Sequence, residues 1–362
     1  MKKSSSAKLR FADRLVEWHA RSGRHDLPWQ NTRDPYLIWI SEIMLQQTQV
    51  KTVIPYFARF IASFPTVGSL AQADENEVLA HWSGLGYYAR GRNLLKAARI
   101  IATEHGGTFP RAFDAICALP GVGRSTASAI SAFAFDEKRA ILDGNVKRVL
   151  SRCFGIEGYP GEKKVEVRLW ALAEELLPDS SDRIKAYTQA QMDLGATVCL
   201  RSRPLCAGCP CSRVCVANRE KRIDEFPGRK PRRKIPSRTT AMLILISHSE
   251  VLLERRPPSG IWGGLWCFPE FGVDEDSVAK ARALYGVRGA SGPHLTPIKH
   301  GFTHFNLKIN PHIVQARRRD PRAAQPGQIW IGVDDALKAA IPAPVRRLLQ
   351  NLAPLLQKIN VD

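Results

Sequence analysis

The sequence predicts a multi-domain protein in which an all-α domain is followed by a smaller α+β domain. Before residue 238 the apolar residues recur at helical spacing without a strand pattern, whereas short alternating runs follow that point. Residues 219–238, between them, carry nine Lys or Arg and three Pro, which predicts an extended, self-repelling connector. At 362 residues the chain is long enough for two or three domains. We therefore expect domains at 1–218 and 239–362, joined by a basic linker at 219–238.

The individual elements follow from the same patterns. In the first domain we expect one helix to begin near Pro35, another to end at Gly155, and others over 9–20, 75–82, 88–105, 163–177 and 182–194. In the second domain we expect strands over 241–246, 251–255, 302–309, 312–315 and 328–331, with helices over 275–285 and 343–357.

The charge balance indicates a polyanionic partner. Lys and Arg number 53 against 34 Asp and Glu, a formal charge of +19. A membrane partner fits poorly, because no apolar run approaches the ~20 residues of a spanning helix. The basic start MKKSSSAKLR leads into residues broken by Asp13, Arg14 and Glu17, so we expect no signal-peptide core. These features predict a soluble cytoplasmic protein.

The stretch LPGVGRSTASAISAFAFDEKRAILDGNVK, residues 119–147, carries the clearest local signal. Pro120 ends a helix, and Gly121 and Gly123 permit positive φ and close approach by another backbone. The N–H groups that open the next helix would then attract an anion such as a DNA phosphate. Asp143 follows at the mouth of another helix, where the alternative is that it only caps that helix, worth about 1 kcal/mol.

Two other positions allow both a functional and a purely structural interpretation. Glu42 lies among apolar residues, where an ionised carboxylate is costly and a raised pKa is expected, but it could simply belong to a polar stripe. Tyr87 lies in the loop Gly84-Leu85-Gly86-Tyr87-Tyr88, which suits insertion between DNA bases, although a tyrosine at a helix start is often part of the core.

The cysteine spacing indicates a metal site. Five of the eight cysteines fall within 199–215, and four of them form C-x6-C-x2-C-x5-C at Cys199, Cys206, Cys209 and Cys215. Four thiolates can hold a [4Fe–4S] cluster or a tetrahedral zinc. Zinc ribbons usually pair two C-x2-C knuckles, and only one is present here. Cys211 is interpreted as a bystander or a small buried residue.

Seven motifs occur in the order found in one family: SEIMLQQTQV, GLGYYAR, LPGVGRSTA, LDGNVKRVL, the cysteine loop, WGGLWCFP and GFTHF. The chain thereby resembles the MutY-type adenine DNA glycosylases of the helix-hairpin-helix base-excision repair superfamily. The resemblance implies an all-α helix-hairpin-helix glycosylase domain whose cysteine loop holds a [4Fe–4S] cluster. It also implies a Nudix-like (MutT-like) second domain. A Nudix hydrolase needs a glutamate-rich helix for Mg²⁺, but the segment here reads DSVAKARALYG, so we expect the fold without the hydrolase.

The family resemblance further implies the reaction. It implies hydrolytic removal of adenine mispaired with 8-oxoguanine or guanine in duplex DNA, in base excision repair, by a protein expected to act as a monomer. Related glycosylase/lyases place a lysine where this chain has Ser125, so a Schiff base cannot form there and the enzyme should be monofunctional. Lys147 could still trap the ring-opened product sporadically.

The same resemblance assigns roles to residues. Glu42 would protonate adenine N7 as general acid, ionised Asp143 would stabilise the oxocarbenium-like sugar, and Asn145 would orient the acid. Trp29 and Gln189 would line the pocket for the flipped base, and Gln47 and Tyr87 would wedge the duplex at the opposite base. The hairpin residues Gly121, Gly123 and Ser125 would contact the DNA backbone, and Phe302, Thr303 and His304 would contact 8-oxoguanine.

Overall fold

The computed structural model describes residues 2–231, 235–318 and 325–359. The chain divides into two compact units. One combines Met1–Ala71 with Lys96–Arg232, and the other combines Gln72–Leu95 with Arg233–Asp362. The change of unit near residue 232 falls inside the linker expected at 219–238, but segment 72–95, expected in the first domain, belongs to the second unit.

The chain before residue 220 is helical. Its α-helices, in order, are α1 (Lys2–Ser22), α2 (Pro35–Leu45), α3 (Val50–Ser63), α4 (Val67–Gln72), α5 (Glu75–Trp82), α6 (Ala89–Glu104), α7 (Phe113–Ala118), α8 (Arg124–Phe135), α9 (Gly144–Phe154), α10 (Lys163–Glu175), α11 (Ile184–Asp193) and α12 (Val216–Arg219). A π-helical turn, Leu194–Val198, extends α11.

Local sequence explains where these helices begin and end. Asp34 caps α2 by accepting from the Tyr36 N–H, and Pro35 takes the first helical position, where its missing N–H costs nothing. Gly155 ends α9 in the left-handed conformation, as its place after the last apolar residue predicts. The large side chains Trp39, Phe60 and Leu15 are fully buried in the helical core.

The expected extended connector is wrong for residues 219–228. A short 3-10 helix occupies Ile223–Glu225, and Phe226 is buried, with its carbonyl accepting from Arg152 Nε at 2.9 Å. The Arg222 guanidinium pairs with Glu157, Glu220 and Glu225, so part of the positive charge that predicted self-repulsion is neutralised locally. Residues 232–234 of the predicted linker lie outside the described residues.

The rest of the second unit is built on a mixed sheet. Its strands are β1 (Ser237–Ser247), β2 (Glu250–Arg255), β3 (Trp266–Cys267), β4 (Glu270–Phe271), β5 (Arg288–Ser291), β6 (Ile298–Gly301), β7 (Asn306–Arg318) and β8 (Gln328–Gly332). The main path runs β3-β2-β1-β7-β5, while β4 pairs with β1, β6 with β7 and β8 with β2. Strands β1 and β7 are parallel, from Ser237 opposite Asn306 to Ile246 opposite Gln315, and the other pairs are antiparallel.

Alternation along β1 divides the core between the two faces of the sheet. Met242 and Ile244 face the side covered by α15 (Ala343–Ile359), and Leu243 and Leu245 face the side covered by α13 (Ser277–Tyr285). Leu79 of α5 packs in the same core cluster as Met242, which explains why segment 72–95 groups with this unit.

The sequence-based elements mostly agree with this architecture, and the predicted fold class is confirmed. The strand expected at 302–309 begins only at Asn306, because residues 302–305 form a turn, and it runs without a break through the strand expected at 312–315. Strands β3 to β6 were not predicted, since two- to four-residue strands show too little alternation. Within the described part of the chain, every helix is too short or too polar to cross a bilayer.

Candidate active site

Helix α2 presents Glu42 to a cavity in the helical unit. The neighbours Ser41 and Ile43 are buried, while Glu42 is partly buried and lines the cavity. Burial, with a smaller contribution from the nearby Asp143 charge, raises the pKa of the Glu42 carboxyl to about 8. A carboxyl group in this position holds its proton at neutral pH, so it can serve as an acid.

Asp143 lies at the start of α9, where it does cap the helix. Its Oδ1 accepts from the Val146 N–H at 2.8 Å. Burial also raises the pKa of Asp143, but the Val146 and Asn145 N–H groups and the cations Arg148 and Lys147 oppose that rise. Because these donors favour the charged form, Asp143 is the better of the two carboxyl groups to carry a negative charge. Capping and a role in the site are therefore compatible.

Two cavities meet at the Glu42 side chain. One, of about 560 Å³, is lined by Glu42, Asp143, Asn145 and Ser125, among others. The other, of about 430 Å³, is lined by Glu42 together with His19, Ser41 and Phe133, among others. Both are lined by Arg24, Trp29, Glu42 and Gln189. The structure thus brings together the predicted acid, the predicted charge stabiliser and both predicted pocket residues.

A buried polar network supports Gln189 in this cavity. The fully buried Asp193 accepts from Gln189 Nε2 at 2.9 Å and from Arg24 through its backbone N–H and Nε, each at 2.8 Å. Sequence analysis did not identify Arg24 or Asp193 as site residues. The available signal was the four-residue spacing of Gln189 and Asp193, which places them on one face of α11.

Asn145, in the first turn of α9, is held close to the π-helical turn. Its Oδ1 accepts from Arg148 Nη2 at 2.8 Å, and the same nitrogen donates to the Gly195 carbonyl at 2.7 Å. A Cβ at Gly195 would lie 2.5 Å from the Asn145 Cβ, so only glycine permits this approach. The position beside Asp143 is consistent with the predicted orienting role, which stays a prediction.

The hairpin between α7 and α8 has the expected turn, with one difference. Gly121 adopts φ 82°, as expected, whereas Gly123 has φ −91° and caps α8 in an extended conformation. Positive φ is therefore needed at Gly121 only, and a Cβ on Gly123 would meet no atom within 4 Å. Ser125 Oγ accepts from the Leu142 N–H at 2.9 Å, which ties the hairpin helix to the segment that precedes Asp143.

The two predicted wedge residues share an unusual backbone conformation. Gln47, after α2, has φ 57°, and Tyr87, before α6, has φ 49°. Non-glycine residues in this region cost of order 1–3 kcal/mol and cluster at functional sites. Both side chains are exposed, and Tyr87 keeps 46% of its surface accessible. Each is described within its own unit, and the role of each stays a prediction.

In the second unit, Phe302, Thr303 and His304 form a turn between β6 and β7. The turn is closed by the Phe302 N–H, which donates to the Phe305 carbonyl at 2.8 Å. Phe302 stacks on Phe305 with ring centroids 4.5 Å apart and also contacts the buried Trp262 at 5.6 Å. Thr303 and His304 are exposed. The turn is thus rigid at its base and presents polar groups outward.

The cysteines of the loop collect at one cavity in the helical unit. Cys199, Cys206, Cys209 and Cys215 all line it, together with Arg152, whose Nη1 lies 3.5 Å from Cys199 Sγ. Cys211 is fully buried and is not part of that lining. Among the described residues, no three or more His, Cys, Asp or Glu side chains converge as a binding site for a metal ion.

Comparisons with known proteins agree with this arrangement. Residues 40–175 match the family described as HhH-GPD superfamily base excision DNA repair protein, and residues 240–351 match the NUDIX domain. An adenine DNA glycosylase of Buchnera aphidicola subsp. Acyrthosiphon pisum is 36% identical over 346 residues, 94% of this chain and 97% of that protein. The adenine DNA glycosylase of Mus musculus is 33% identical over 400 residues, 94% of this chain and 77% of that protein.

Among solved structures, a thermostable thymine-DNA glycosylase aligns with a TM-score of 0.54 and 31% identity, covering 60% of this chain and 99% of its own. The two adenine DNA glycosylases each match 94% of this chain, at 36% and 33% identity, and this similarity identifies the family. The chain belongs to the adenine DNA glycosylases, helix-hairpin-helix base excision DNA repair enzymes that hydrolyse N-glycosyl bonds.

Proposed function

We propose that this enzyme is a monofunctional glycosylase that removes adenine mispaired with 8-oxoguanine, or with guanine, from duplex DNA. The observation that carries the proposal is the pair of carboxyl groups, Glu42 and Asp143, on one cavity, with the pKa of Glu42 raised to about 8. Adenine is a poor leaving group until it is protonated, so a neutral acid beside an ionised carboxylate suits the reaction.

Glu42 donates its proton to N7 of the adenine that has been flipped out of the duplex. Protonation lets the bond between the sugar C1′ and N9 break, with the bonding electrons leaving on the base. Trp29 and Gln189 line the space around Glu42 and hold the base there. Flipping costs a few kcal/mol, least for a mispair, which supplies part of the selectivity.

Asp143 stabilises the positive charge that develops on the sugar. Its position at the mouth of α9, with Asn145 two residues later, keeps the carboxylate beside the same cavity as Glu42. A water molecule then adds at C1′, which leaves an abasic site. The division of labour between acid and charge stabiliser parallels that of a retaining glycosidase.

The monofunctional proposal rests on two positions, Ser125 and Lys147; Lys51 is a separate amine that lines the same cavity as Asp143. Ser125 stands where related lyases have lysine, and its hydroxyl is engaged by the Leu142 N–H. Lys147 Nζ pairs with Glu166 Oε1 at 2.5 Å, and Lys147 is not among the residues that line the cavity of Asp143. Water is therefore the final nucleophile.

Three segments contact the DNA outside the base pocket. The Gly121–Gly123 turn and the N-terminus of α8, which has no side-chain cap, bind a backbone phosphate. Gln47 and Tyr87 fill or wedge the duplex beside the opposite base, and the turn of Phe302, Thr303 and His304 reads 8-oxoguanine. The Thr303 hydroxyl supplies the donor that serine commonly provides in the family.

We also propose that Cys199, Cys206, Cys209 and Cys215 hold a [4Fe–4S] cluster. All four line one cavity, and four cysteine thiolates are the ligand set that such a cluster takes. When bound, the cluster would supply structural cross-linking of the loop. That loop exposes Arg201, Arg203 and Arg213 to DNA phosphates.

The iron content tests the cluster proposal. Cys209→Ser should lower bound iron and the visible absorbance of the purified protein, whereas the matched control Cys211→Ser should keep both. Equal iron in the two variants, or zinc in place of iron, would contradict the assignment.

The proposed site uses residues of one chain, so we propose that the protein acts as a monomer. The charge of +19 suits a cytoplasmic protein associated with nucleoid DNA.

Single-turnover adenine release tests the function as a whole. The substrates are duplexes carrying adenine opposite 8-oxoguanine, guanine or thymine, analysed with and without alkaline strand cleavage. We expect release from the two mispairs only, with strand breaks only after alkali. Glu42→Gln should keep mispair binding but slow release by orders of magnitude. Release from the adenine-thymine pair, or breaks without alkali, would refute the proposal.

A further inference from the structure

We propose that Arg346 of the α+β part is a positioning residue that holds Tyr87 ready for insertion into the duplex. The inference rests on the proposed function, in which Tyr87 wedges the DNA beside the lesion. All the residues concerned belong to the second compact unit, which contains both segment 72–95 and residues 233–362.

The loop that carries Tyr87, here called the wedge loop (residues 84–88), has a backbone that needs external support. Gly84 and Gly86 have φ 104° and 73°, and Tyr87 itself has φ 49°. Glycines adopt such angles freely, but tyrosine does so only where its surroundings compensate the strain. Because nearly half of Tyr87 is exposed to solvent, its own packing supplies only part of that support, and the rest has to come from the residues around the loop.

Part of the support is local. The buried Arg90 guanidinium lies 5.4 Å from the Trp82 ring centroid and 5.6 Å from that of Tyr87. Its Nη2 donates to the Gly86 carbonyl at 3.2 Å, and Trp82 Nε1 donates to the same carbonyl at 3.3 Å. Arg90 is thus occupied with the wedge loop rather than forming part of a solvated basic face.

The rest of the support comes from the segment that leads into α15. The Ile341 carbonyl accepts from Ser83 Oγ at 2.8 Å and from the Tyr88 hydroxyl at 3.3 Å. Ser83 immediately precedes the wedge loop, and Tyr88 is its last residue. One carbonyl therefore ties both ends of the loop to the α+β part.

Arg346 fastens this junction. Its Nη2 donates to Ser83 Oγ at 3.0 Å, and its Nη1 donates to the Leu337 carbonyl at 2.7 Å. The planar fork of arginine can satisfy both acceptors at once, which the single ammonium of lysine cannot reproduce. Arg346 thereby links Ser83 to the chain on both sides of Ile341.

The same core also supports the lesion-reading turn. Tyr88 and Phe302 both pack against the core cluster that contains Leu79, Trp262 and Phe305. The wedge loop and the proposed reader of 8-oxoguanine are therefore attached to one packed body. The second unit would therefore contact the duplex at two places, through the turn of Phe302, Thr303 and His304 and through the wedge loop, which precedes residue 233 in the sequence.

Arg346→Met tests the inference, because it removes both hydrogen bonds but keeps the apolar stem. The measured quantity is the Kd for a duplex with a non-cleavable adenosine analogue opposite 8-oxoguanine. If the inserted conformation of the loop falls to about a tenth of its population, affinity falls about tenfold. The single-turnover rate constant at saturating protein should stay within about twofold, since chemistry lies elsewhere. Arg346→Lys should recover part of the affinity.

Two controls separate positioning from charge and from general damage to the fold. Arg282→Met removes the same charge from an exposed site on α13 and should leave affinity unchanged. Fluorescence of 2-aminopurine placed beside 8-oxoguanine reports unstacking by Tyr87, and its rise on binding should shrink in Arg346→Met. If Arg346→Met does not fold, Ser83→Ala removes the shared oxygen and should give the same two losses.

A double-mutant cycle with Tyr87→Ala decides the matter. Removing the stacking ring should by itself weaken binding by at least about tenfold, since Arg346 cannot contribute more through Tyr87 than Tyr87 contributes itself. If Arg346 acts through Tyr87, the double variant should bind within about twofold of Tyr87→Ala alone. Additive losses of affinity in the double variant would overturn the proposed role of Arg346. So would an unchanged affinity in Arg346→Met when Tyr87→Ala binds more weakly. An unchanged affinity in Tyr87→Ala would refute the proposed insertion of Tyr87 into the duplex, and with it the proposed role of Arg346.

Discussion

Replacing Glu42 by glutamine should stabilise the protein while abolishing catalysis. The folded-state pKa of Glu42 is raised from 4.5 to about 8, so the folded protein holds a proton that the unfolded chain releases. Stability from this group is therefore complete below about pH 4.5 and is lost as the pH rises toward about 8. At pH 7 the loss is 1.36 kcal/mol for each of about 2.5 pH units, or about 3 kcal/mol.

Urea unfolding followed by far-UV circular dichroism measures this difference. Glutamine keeps the shape of glutamic acid but cannot ionise, so Glu42→Gln should gain up to about 3 kcal/mol over the parent at pH 7. At pH 5 the gain should shrink to about 1 kcal/mol, because that pH lies only about half a unit above the pKa of the unfolded carboxyl group. The exposed Glu104, changed to glutamine, is the matched control and should show no such pH dependence.

The rate of adenine release gives an independent check on the same group. The single-turnover rate constant should fall roughly tenfold per unit above about pH 8, as the acid loses its proton. It should also fall at acid pH, as the Asp143 carboxylate takes up a proton. A stability gain equal at pH 5 and pH 7 would refute the reasoning. A rate constant that does not change up to about pH 9 would also refute it, because the rate would then not depend on a Glu42 carboxyl group that ionises near pH 8.

Three further predictions concern the hairpin, the amine and the lesion-reading turn. Gly123→Ala should change the free energy of unfolding by no more than roughly 0.5 kcal/mol, since the added Cβ meets open space, but it should weaken duplex binding, because the backbone there approaches a phosphate. Gly121→Ala, at φ 82°, should lower the free energy of unfolding in urea by ~1 kcal/mol or more. Glu166→Gln should release Lys147 and increase borohydride-trapped adducts with the abasic site, and adducts that persist after Lys147→Ala would assign the amine elsewhere. Thr303→Ala should lower the preference for 8-oxoguanine over guanine by about tenfold in Kd, the value of one hydrogen bond, and an unchanged preference would show that the hydroxyl does not read the lesion.

Much of the site could be anticipated from local sequence because its parts are local structures. Asp143 caps the helix that its position before Gly144 predicts, and the turn at Gly121 needs the conformation that glycine allows. Cys199 to Cys215 lie close in sequence, so any compact loop brings their thiols near one cavity. Helix boundaries near Pro35 and Gly155 likewise depend on residues only a few positions away.

Errors arose where pairing partners are distant. The charges of the basic run at 219–228 predict an extended chain, but Arg152 of α9 and Glu157 of the loop after α9 bind it and hold it in a folded conformation. The turn at 302–305 was predicted as part of a strand because Phe305 and Leu307 alternate, although the chain joins the sheet only at Asn306.

The amino-acid sequence by itself determined which chemical groups are available: two carboxyl groups in helical contexts, a glycine-containing turn, a cysteine loop and an excess of Lys and Arg. Only the tertiary structure decided how those groups behave. Burial against distant helices raises the pKa of Glu42, Asp193 accepts hydrogen bonds from Arg24 and Gln189 at the cavity, and Arg346 donates to Ser83 just before the loop of Tyr87. Desolvation and long-range hydrogen bonding depend on residues far apart in the chain, and a pattern of near neighbours carries no record of them.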